Sequence, residues 1–342
     1  MAGRKAFISS VAFLAVLHLA VFAAAFVAPY GMAEQDRDQA FSPPTTLHWI
    51  DGQKKWRLRP FVYGSVPASL KAGSAQDDQR PIYPLRFLVK TPPYQFAGVF
   101  TWHHRLFGVD APGRIFLLGT DEFGRDLFSR MLYGGQISLT VGLAGAAISL
   151  AIGLLVGLVS GFYRGWLDAV LMRITEIFLA LPWLYLLLAI RAFLPLSLPP
   201  ATAFMMLMGV LGLASWARPA RLIRDLALSA REREYVLAAR GFGASSIYLI
   251  RRHILPQSLG VALTQAALLI PQFILAEVTL SFLGLGIGEP AASWGNMMAS
   301  LRQITTLLSH SWMLAPSLVL VPVCYSYYCI SEYFQQGLNR IS

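Results

Sequence analysis

The chain carries little charge for its length. Only 13% of its 342 residues are Asp, Glu, Lys or Arg, against 56% apolar residues and a mean hydropathy of +0.54. That balance excludes an ordinary soluble domain and a disordered polar chain, and describes an integral membrane protein. Cysteine is nearly absent. Cys324 and Cys329 lie five apart in the last apolar stretch, which at 3.6 residues per turn sets them about 140° apart around a helix, so no disulfide is expected. His103 and His104 are adjacent without a nearby cysteine or second histidine pair, which is not a zinc arrangement. The short patterns of catalysis are missing too: no G-x-S-x-G elbow, no H-E-x-x-H helix and no pair of Asp residues inside an apolar run. Gly241 and Gly243, and Gly284, Gly286 and Gly288, resemble phosphate loops by composition only. The G-x-x-x-x-G-K-[ST] pattern, which sets backbone amides and a lysine around phosphates, is lacking. The chain is therefore not expected to hydrolyse ATP by itself.

What the sequence does have is long apolar runs. A membrane-spanning helix takes about 20 mostly apolar residues, and six runs qualify: residues 7–27, 137–162, 174–194, 201–217, 261–285 and 311–330. Pro199 and Pro200 shorten the fourth. The first follows Arg4 and Lys5, and Ala23, Ala24 and Ala25 near its end also suit a cleaved signal peptide. Its apolar region exceeds the roughly 7 to 15 residues of such peptides, so it reads as an uncleaved anchor. Lys and Arg in short loops set orientation. With the N-terminus inside, the cytoplasmic segments hold Arg4 and Lys5, then Arg164 and Arg173, then eight arginines from Arg218 to Arg252, then Arg340. The short external segments hold only Arg191 and Arg302. Residues 30–130 carry thirteen Lys or Arg, but a loop of that length escapes the rule. The net charge of +10 thus follows from topology and gives no support to nucleic-acid binding.

The expected organisation is an N-terminal anchor helix at 1–29, an extracytoplasmic insertion and lead-in to the second helix at 30–130, and a five-helix core at 131–342. The core carries a cytoplasmic loop at 218–256. The fold class is an all-α polytopic membrane protein of six transmembrane helices, with an irregular or partly β extracytoplasmic insertion after helix 1. Short strands suit residues 61–63 and 87–90 of the insertion, whose apolar content argues against disorder. In the second apolar run, Gly153, Gly157, Gly161 and Gly165 recur every fourth residue. That spacing clears one helix face for close approach, either within the bundle or against a second subunit. Pro182 and Pro271 should each bend their helix.

A charge at the centre of a membrane costs at least about 2.5 to 3.5 kcal/mol, so the few in the apolar runs stand out. Arg173 and Glu176, spaced i, i+3 at the start of the third run, can pair with each other. Glu277 stands alone in LILAEVTLSFLGLG and must face a partner or water. A helix-packing hydrogen bond and a pathway role both fit it.

The stretch REYVLAARGFGASSIYLIRRHILP, residues 233–256, is a charged helix-turn-helix set between apolar runs, which suits a docking surface. Arg218, Arg221 and Arg224 precede it on one helix face, followed by Arg231, Glu232, Arg233 and Glu234. A small-residue helix through Val236, Leu237, Ala238 and Ala239 should end at Gly241 or Gly243 in a left-handed C-cap. A second helix over 245–254 should stop at Leu255 and Pro256.

This stretch resembles the cytoplasmic loop of the inner-membrane permeases of binding-protein-dependent ABC importers, whose pattern is Glu-Ala-Ala, three residues, Gly, nine residues, Ile, any residue, Leu-Pro. Ala238, Ala239, Gly243, Leu255 and Pro256 stand at the matching positions. Leu237 replaces the Glu, and His253 stands where Ile is expected. Residues 117–143, LLGTDEFGRDLFSRMLYGGQISLTVGL, and 275–297, LAEVTLSFLGLGIGEPAASWGNM, resemble parts of the C-type permeases of the dipeptide, oligopeptide and nickel branch. The long segment 30–130 departs from the short loop of typical dipeptide permeases.

The resemblance implies a type I ABC importer permease fold in a bacterial inner membrane, N-terminus cytoplasmic. It implies that Leu237, Ala238, Ala239, Arg240, Gly243, His253, Leu255 and Pro256 form a loop coupling this chain to a cytoplasmic ATP-binding subunit. A second homologous permease would complete the path, and an extracytoplasmic substrate-binding protein would deliver the cargo, a peptide in the first instance. Trp294 and Gly295 would be contacts for that protein. No cofactor would be bound by this chain, since ATP would be hydrolysed by partner subunits. The alternative is an ion-coupled secondary transporter acting alone through Arg173, Glu176 and Glu277, but the inverted repeat such carriers show is not apparent.

Overall fold

A computed structural model describes residues 2–64, 81–96, 100–193, 195 and 199–339. In chain order the elements are helices α1 (Ala2–Phe22) and α2 (Ala24–Val27), and strands β1 (His48–Ile50), β2 (Trp56–Tyr63), β3 (Ile82–Pro84), β4 (Arg86–Phe96) and β5 (Phe100–Gly108). Then come α3 (Leu127–Tyr163), α4 (Gly165–Ala180), α5 (Trp183–Phe193), α6 (Pro200–Ala214), α7 (Ala217–Arg231), α8 (Glu234–Gly241) and α9 (Ser246–Leu249). The last are α10 (Leu255–Phe282), α11 (Trp294–Met297), α12 (Ile304–Ser309) and α13 (Ala315–Asn339). They fall into two compact units, one of Met1–Leu14, Leu139–Glu277 and Pro322–Ser342, the other of Ala15–Ser138 and Val278–Val321.

In the first unit the glycine row of α3 is filled from within the chain. A Cβ on Gly153 would stand 3.1 Å from the Pro219 side chain, one on Gly157 2.6 Å from the Ala220 carbonyl oxygen, and one on Gly161 2.6 Å from the Arg224 carbonyl oxygen. The row therefore seats α7, whose Ala217, Ala220, Ile223, Ala227 and Ala230 are buried. Further along α3, a Cβ on Gly145 would strike the Phe273 ring of α10 at 2.6 Å. Close backbone approach of this kind is what small residues permit in an apolar helix pair.

Among the described residues, four helical stretches are long and apolar enough to cross a membrane: Gly3–Phe22, Leu127–Tyr163, Ser246–Phe282 and Ser311–Gly337. A fifth appears only if the pair Gly165–Ala180 and Tyr185–Phe193, bent by 85°, counts as one span. Six were expected from the apolar runs, and prolines and lengths account for the difference. Pro182 has no N–H to give, and the residue before a proline avoids the helical region. Leu181 accordingly is extended, at φ −72° and ψ 121°, so the third run breaks instead of merely bending. The fourth run becomes α6, whose 15 residues reach only about 22 Å at 1.5 Å per residue, short of a bilayer's apolar thickness of roughly 30 Å.

The expected stop at Pro256 does not occur. Residues Ile250–Ile254 form one turn of π-helix, in which the Leu255 N–H reaches back five residues to the Ile250 carbonyl. The wider turn carries the chain past a proline that would clash in a regular α-helix, and helix runs on through Phe282.

The second unit holds the strands. β1, β2 and β3 form an antiparallel sheet in that order, with Phe61 opposite Pro84 and Tyr63 opposite Ile82. β4 and β5 form a separate hairpin, with Phe87 opposite Phe107, Tyr94 opposite Trp102 and Phe96 opposite Phe100. Both places where the sequence suggested strands are strands. His103 and His104 lie exposed on β5, and no group of metal-ligating side chains occurs among the described residues. Cys324 and Cys329 are both free thiols.

Candidate functional site

The segment from α7 to the start of α10 lies within the first unit, and partly buried pairings hold it in place. Arg224 donates from Nε and Nη2 to the two carboxylate oxygens of Asp168, at 2.6 and 2.5 Å, and the Ser160 hydroxyl donates to the same carboxylate. Arg231 donates to the Phe162 carbonyl and lies 5.7 Å from the centroid of the Phe162 ring. Of the three arginines read as one basic face, Arg218 and Arg221 remain exposed while Arg224 ties α7 to α4.

α8 has one inward anchor. Val236 is buried in a cluster with Leu158, Phe162, Ile223, Ala227, Leu249 and Ile254, and burying a valine side chain is worth about 1.5 to 3 kcal/mol. Ala239 packs on the edge of that cluster. The other side chains turn outward: Ala238 and Arg240 are exposed, Leu237 is 50% exposed and Phe242 is 92% exposed. Tyr235, Ile247 and Tyr248 are exposed beside them. The segment thus presents exposed apolar side chains among the exposed charges of Arg233, Glu234 and Arg240, and the Glu-to-Leu departure at Leu237 belongs to that apolar set.

The reversal after α8 is a Schellman motif. Gly243 takes φ +84°, its N–H donates to the Arg240 carbonyl at 3.0 Å, and the Ala244 N–H donates to the Ala239 carbonyl at 3.1 Å. This is the pattern a left-handed residue makes possible at a helix C-terminus. Of the two glycines the sequence offered, Gly243 is the cap and Gly241 is still helical. Ser245 then caps α9, its hydroxyl accepting from the Tyr248 N–H at 3.3 Å. His253 acts as an internal brace: its ring lies 5.7 Å from Tyr235 and 5.9 Å from Tyr248. Gln257 donates to both the His253 carbonyl, at 2.9 Å, and the Tyr235 hydroxyl. Leu255 is half-buried and Pro256 exposed at the start of α10.

The remaining sequence-predicted residues are placed elsewhere. Arg173 and Glu176 pair with each other at 2.9 Å on the exposed side of α4. Glu277 is wholly buried and is not without a partner. Trp294 is 1% exposed. Its indole N–H donates to the Met131 carbonyl at 2.9 Å and its backbone N–H to the Ser138 hydroxyl at 3.3 Å. A Cβ on Gly295 would stand 2.6 Å from the Val278 carbonyl oxygen. Both residues thus pack α11 within the second unit.

That unit also holds an ionic cluster for which the sequence reading assigned no roles. Arg125 donates from Nε to Asp121 at 2.7 Å and from Nη1 to Glu289 at 2.5 Å. Arg130 donates from Nη2 to Glu289 at 3.1 Å, with its Nε 3.5 Å from Asp121. The second Asp121 oxygen accepts the Phe123 and Arg125 N–H groups at 2.9 and 3.0 Å. Asp121, Arg125 and Arg130 are buried, around a cavity of about 10 Å³, roughly the room of one water molecule. The signal was legible in GTDEFGRDLFSR, where acid and arginine recur at i, i+4 just ahead of a long apolar helix.

Next to this cluster, Asp126 accepts the Ser129 N–H and hydroxyl at 2.7 and 2.6 Å through one oxygen, while its other oxygen has no hydrogen-bond partner among the described residues. Burial pushes its pKa up to about 7 against the pull of the Ser129 hydrogen bonds. Raising a folded-state pKa favours the folded chain where the group is protonated. The stabilisation is therefore full below the ordinary value of 3.8 and is lost as pH rises through about 7. Melting of the purified chain followed from pH 4 to 8 should show stability falling over that range. Asp126→Asn, neutral throughout, should flatten the fall, and an unchanged slope would contradict the assignment.

Comparison with known proteins bears on the same segments. Residues 153–340, more than half of the chain, match the family described as binding-protein-dependent transport system inner membrane component. The chain is similar to the dipeptide transport system permease protein DppC of Bacillus subtilis (strain 168), with 37% identity over 222 residues covering 65% of this chain and 67% of the relative. It is also similar to a putative peptide permease protein of Brucella suis biovar 1 (strain 1330), with 39% identity over 202 residues covering 59% of this chain and 65% of the relative. The chain thus spans about two thirds of the length of the curated relatives it matches. Among solved structures, the MetNI methionine ABC transporter in inward-facing conformations is 17% identical with a TM-score of 0.47, covering 62% of this chain and 97% of that one, a likeness too weak to add to the assignment. The family match takes in the Gly153 row, the α7 to α10 segment and Glu277, and with it the chain belongs to the binding-protein-dependent transport system inner membrane components.

Proposed function

We propose that the chain is the transmembrane permease subunit of an ATP-driven importer of peptides, lining the path with a second homologous permease. The observation that carries the reading is the α8 turn, locked inward by Val236 and offering Leu237, Ala238, Phe242 and Ile247 outward. A rigid base with an apolar outer face is what a partner's groove can grip and move. The partner is a cytoplasmic ATP-binding subunit whose hydrolysis drives exchange between inward-open and outward-open states. Leu237, Ala238, Ala239, Arg240, Gly243, His253, Leu255 and Pro256 form the coupling element, with His253 and Gly243 shaping it and Leu237 and Ala238 touching the partner. In this reading the N-terminus is cytoplasmic and residues 30–130 lie outside, where a substrate-binding protein delivers cargo. Peptide as the cargo class is supported by the names of the relatives.

The chain binds no nucleotide in this reading. Purified alone it should hydrolyse no ATP, and assembled with the second permease and the ATP-binding subunits it should support hydrolysis that rises with loaded binding protein. Intrinsic hydrolysis by the lone chain would overturn the reading, as would proton-driven uptake by the lone chain in liposomes.

A further inference from the structure

The β4–β5 hairpin is the largest feature that the transport reading leaves without a role. Two-stranded hairpins are marginal in water, yet this one exposes Phe87, Leu88, Phe100 and Trp102. The pairs Tyr94 with Trp102 and Phe96 with Phe100 put four aromatic rings on one face at the hairpin tip, since paired residues share a face and alternate residues along a strand return to it.

That tip is joined to α1. The Phe96 ring meets the Phe22 ring edge-on at 6.2 Å, and the hairpin runs beside α2, with Arg105 donating to the Ala28 carbonyl at 3.5 Å. Phe22 continues an exposed row on α1, Val16 and Leu19 at i, i+3 and i+6, which is the face a spanning helix turns to lipid. Phe22 is also five residues short of Val27, where the apolar run ends, so the rings at the tip lie about 7 Å inside the end of that run at 1.5 Å per residue. Arg105 lies over the Tyr94 ring, 5.5 Å from its centroid, and further along the hairpin Lys90 pairs across the strands with His104 and Arg86 bonds Asp110 at 2.8 Å. Rings just inside the end of an apolar run, with lysine and arginine beyond them, is the arrangement found at membrane–water interfaces.

We infer that the β4–β5 hairpin is a bilayer-interface element, the rings of Tyr94, Phe96, Phe100 and Trp102 set among lipids beside the C-terminal end of α1. The inference rests on α1 crossing the membrane. It commits to lipid as the occupant of this face because the face continues the lipid-facing row of α1.

The test uses the full chain assembled with its partners in vesicles. Cys324→Ala and Cys329→Ala leave it cysteine-free, and Phe100→Cys, Val16→Cys and Lys54→Cys are added one at a time and labelled with a nitroxide. Lys54 lies in the exposed turn between β1 and β2. The ratio of collisions with oxygen to collisions with a water-soluble nickel complex should be several-fold higher at Phe100 and Val16 than at Lys54. A ratio at Phe100 equal to that at Lys54, with Val16 still high, would overturn the proposal alone, and a low ratio at Val16 as well would remove the spanning of α1 with it. Suppression of both collisions at Phe100 would mean that protein covers the tip, and would also overturn it. Should the cysteine-free chain fail to assemble, a benzophenone amino acid at position 100 of the natural chain gives the same decision: a lipid adduct supports the proposal and a protein adduct refutes it.

Discussion

Asp121→Ala should cost the chain about 3 to 5 kcal/mol, the loss measured when one partner of a buried ion pair is removed. Asp121 is the carboxylate that Arg125 and Arg130 share inside the second unit, and it also accepts two backbone N–H groups. Removing it leaves two buried guanidiniums with Glu289 alone, and the Glu289 side chain is about half exposed, so it compensates them poorly. Asp121→Asn keeps acceptors for the Phe123 and Arg125 N–H groups while losing the charge, and should fall between the two. The pair Arg164 with Glu232, at 2.7 Å but exposed on both sides, belongs to the class worth about 0 to 1 kcal/mol. Melting temperatures and yields of folded chain in detergent would separate these cases. An Asp121→Ala variant as stable as Arg164→Ala would contradict the role given to the cluster.

The second large effect is expected at Phe242. Its side chain stands almost fully in solvent at the tip of the α8 turn, where aromatic anchors at interface centres typically lose at least about 2 kcal/mol on truncation, roughly a 30-fold weakening. Because Phe242 packs on nothing within the first unit's buried cluster, Phe242→Ala should leave the melting of the isolated chain unchanged. The expected result is loss of affinity for the ATP-binding subunit at constant stability. Unchanged affinity would place the contact elsewhere on the segment.

These two residues also mark how far the sequence could be read. The α8 helix and its turn were legible because their motif spacing is local: Ala238, Ala239 and Gly243 are fixed by helix and cap geometry within a few residues. The choice between Gly241 and Gly243 needed the backbone, since either could take φ above zero. The glycine row was legible as a close contact, but only coordinates identify α7 as what fills it. Pro182 and Pro256 are both prolines near helical sequence, and they behave oppositely. One breaks the helix at an extended Leu181, and the other is accommodated by a π turn made by residues 250–254. Six apolar runs yield four or five qualifying helical spans among the described residues, because hydropathy counts apolar residues and is blind to a break inside them. The packing of Trp294 was not legible, since it depends on Met131 and Ser138, more than 150 residues away. The hairpin against α1 is likewise a long-range pairing, with strand sequence visible locally and its neighbour not.

The central claim is that the α8 turn grips an ATP-binding subunit, and the most direct measurement is a crosslink from its outward face. Ala238 is exposed where Ala239 is partly buried against the cluster, so Ala238→Cys, treated with a short bifunctional reagent in native membranes, is the better probe. The account predicts one dominant adduct, absent from the unsubstituted chain, whose partner binds ATP. A well-expressed Ala238→Cys chain that captures only lipid, itself or a protein without a nucleotide site would contradict it.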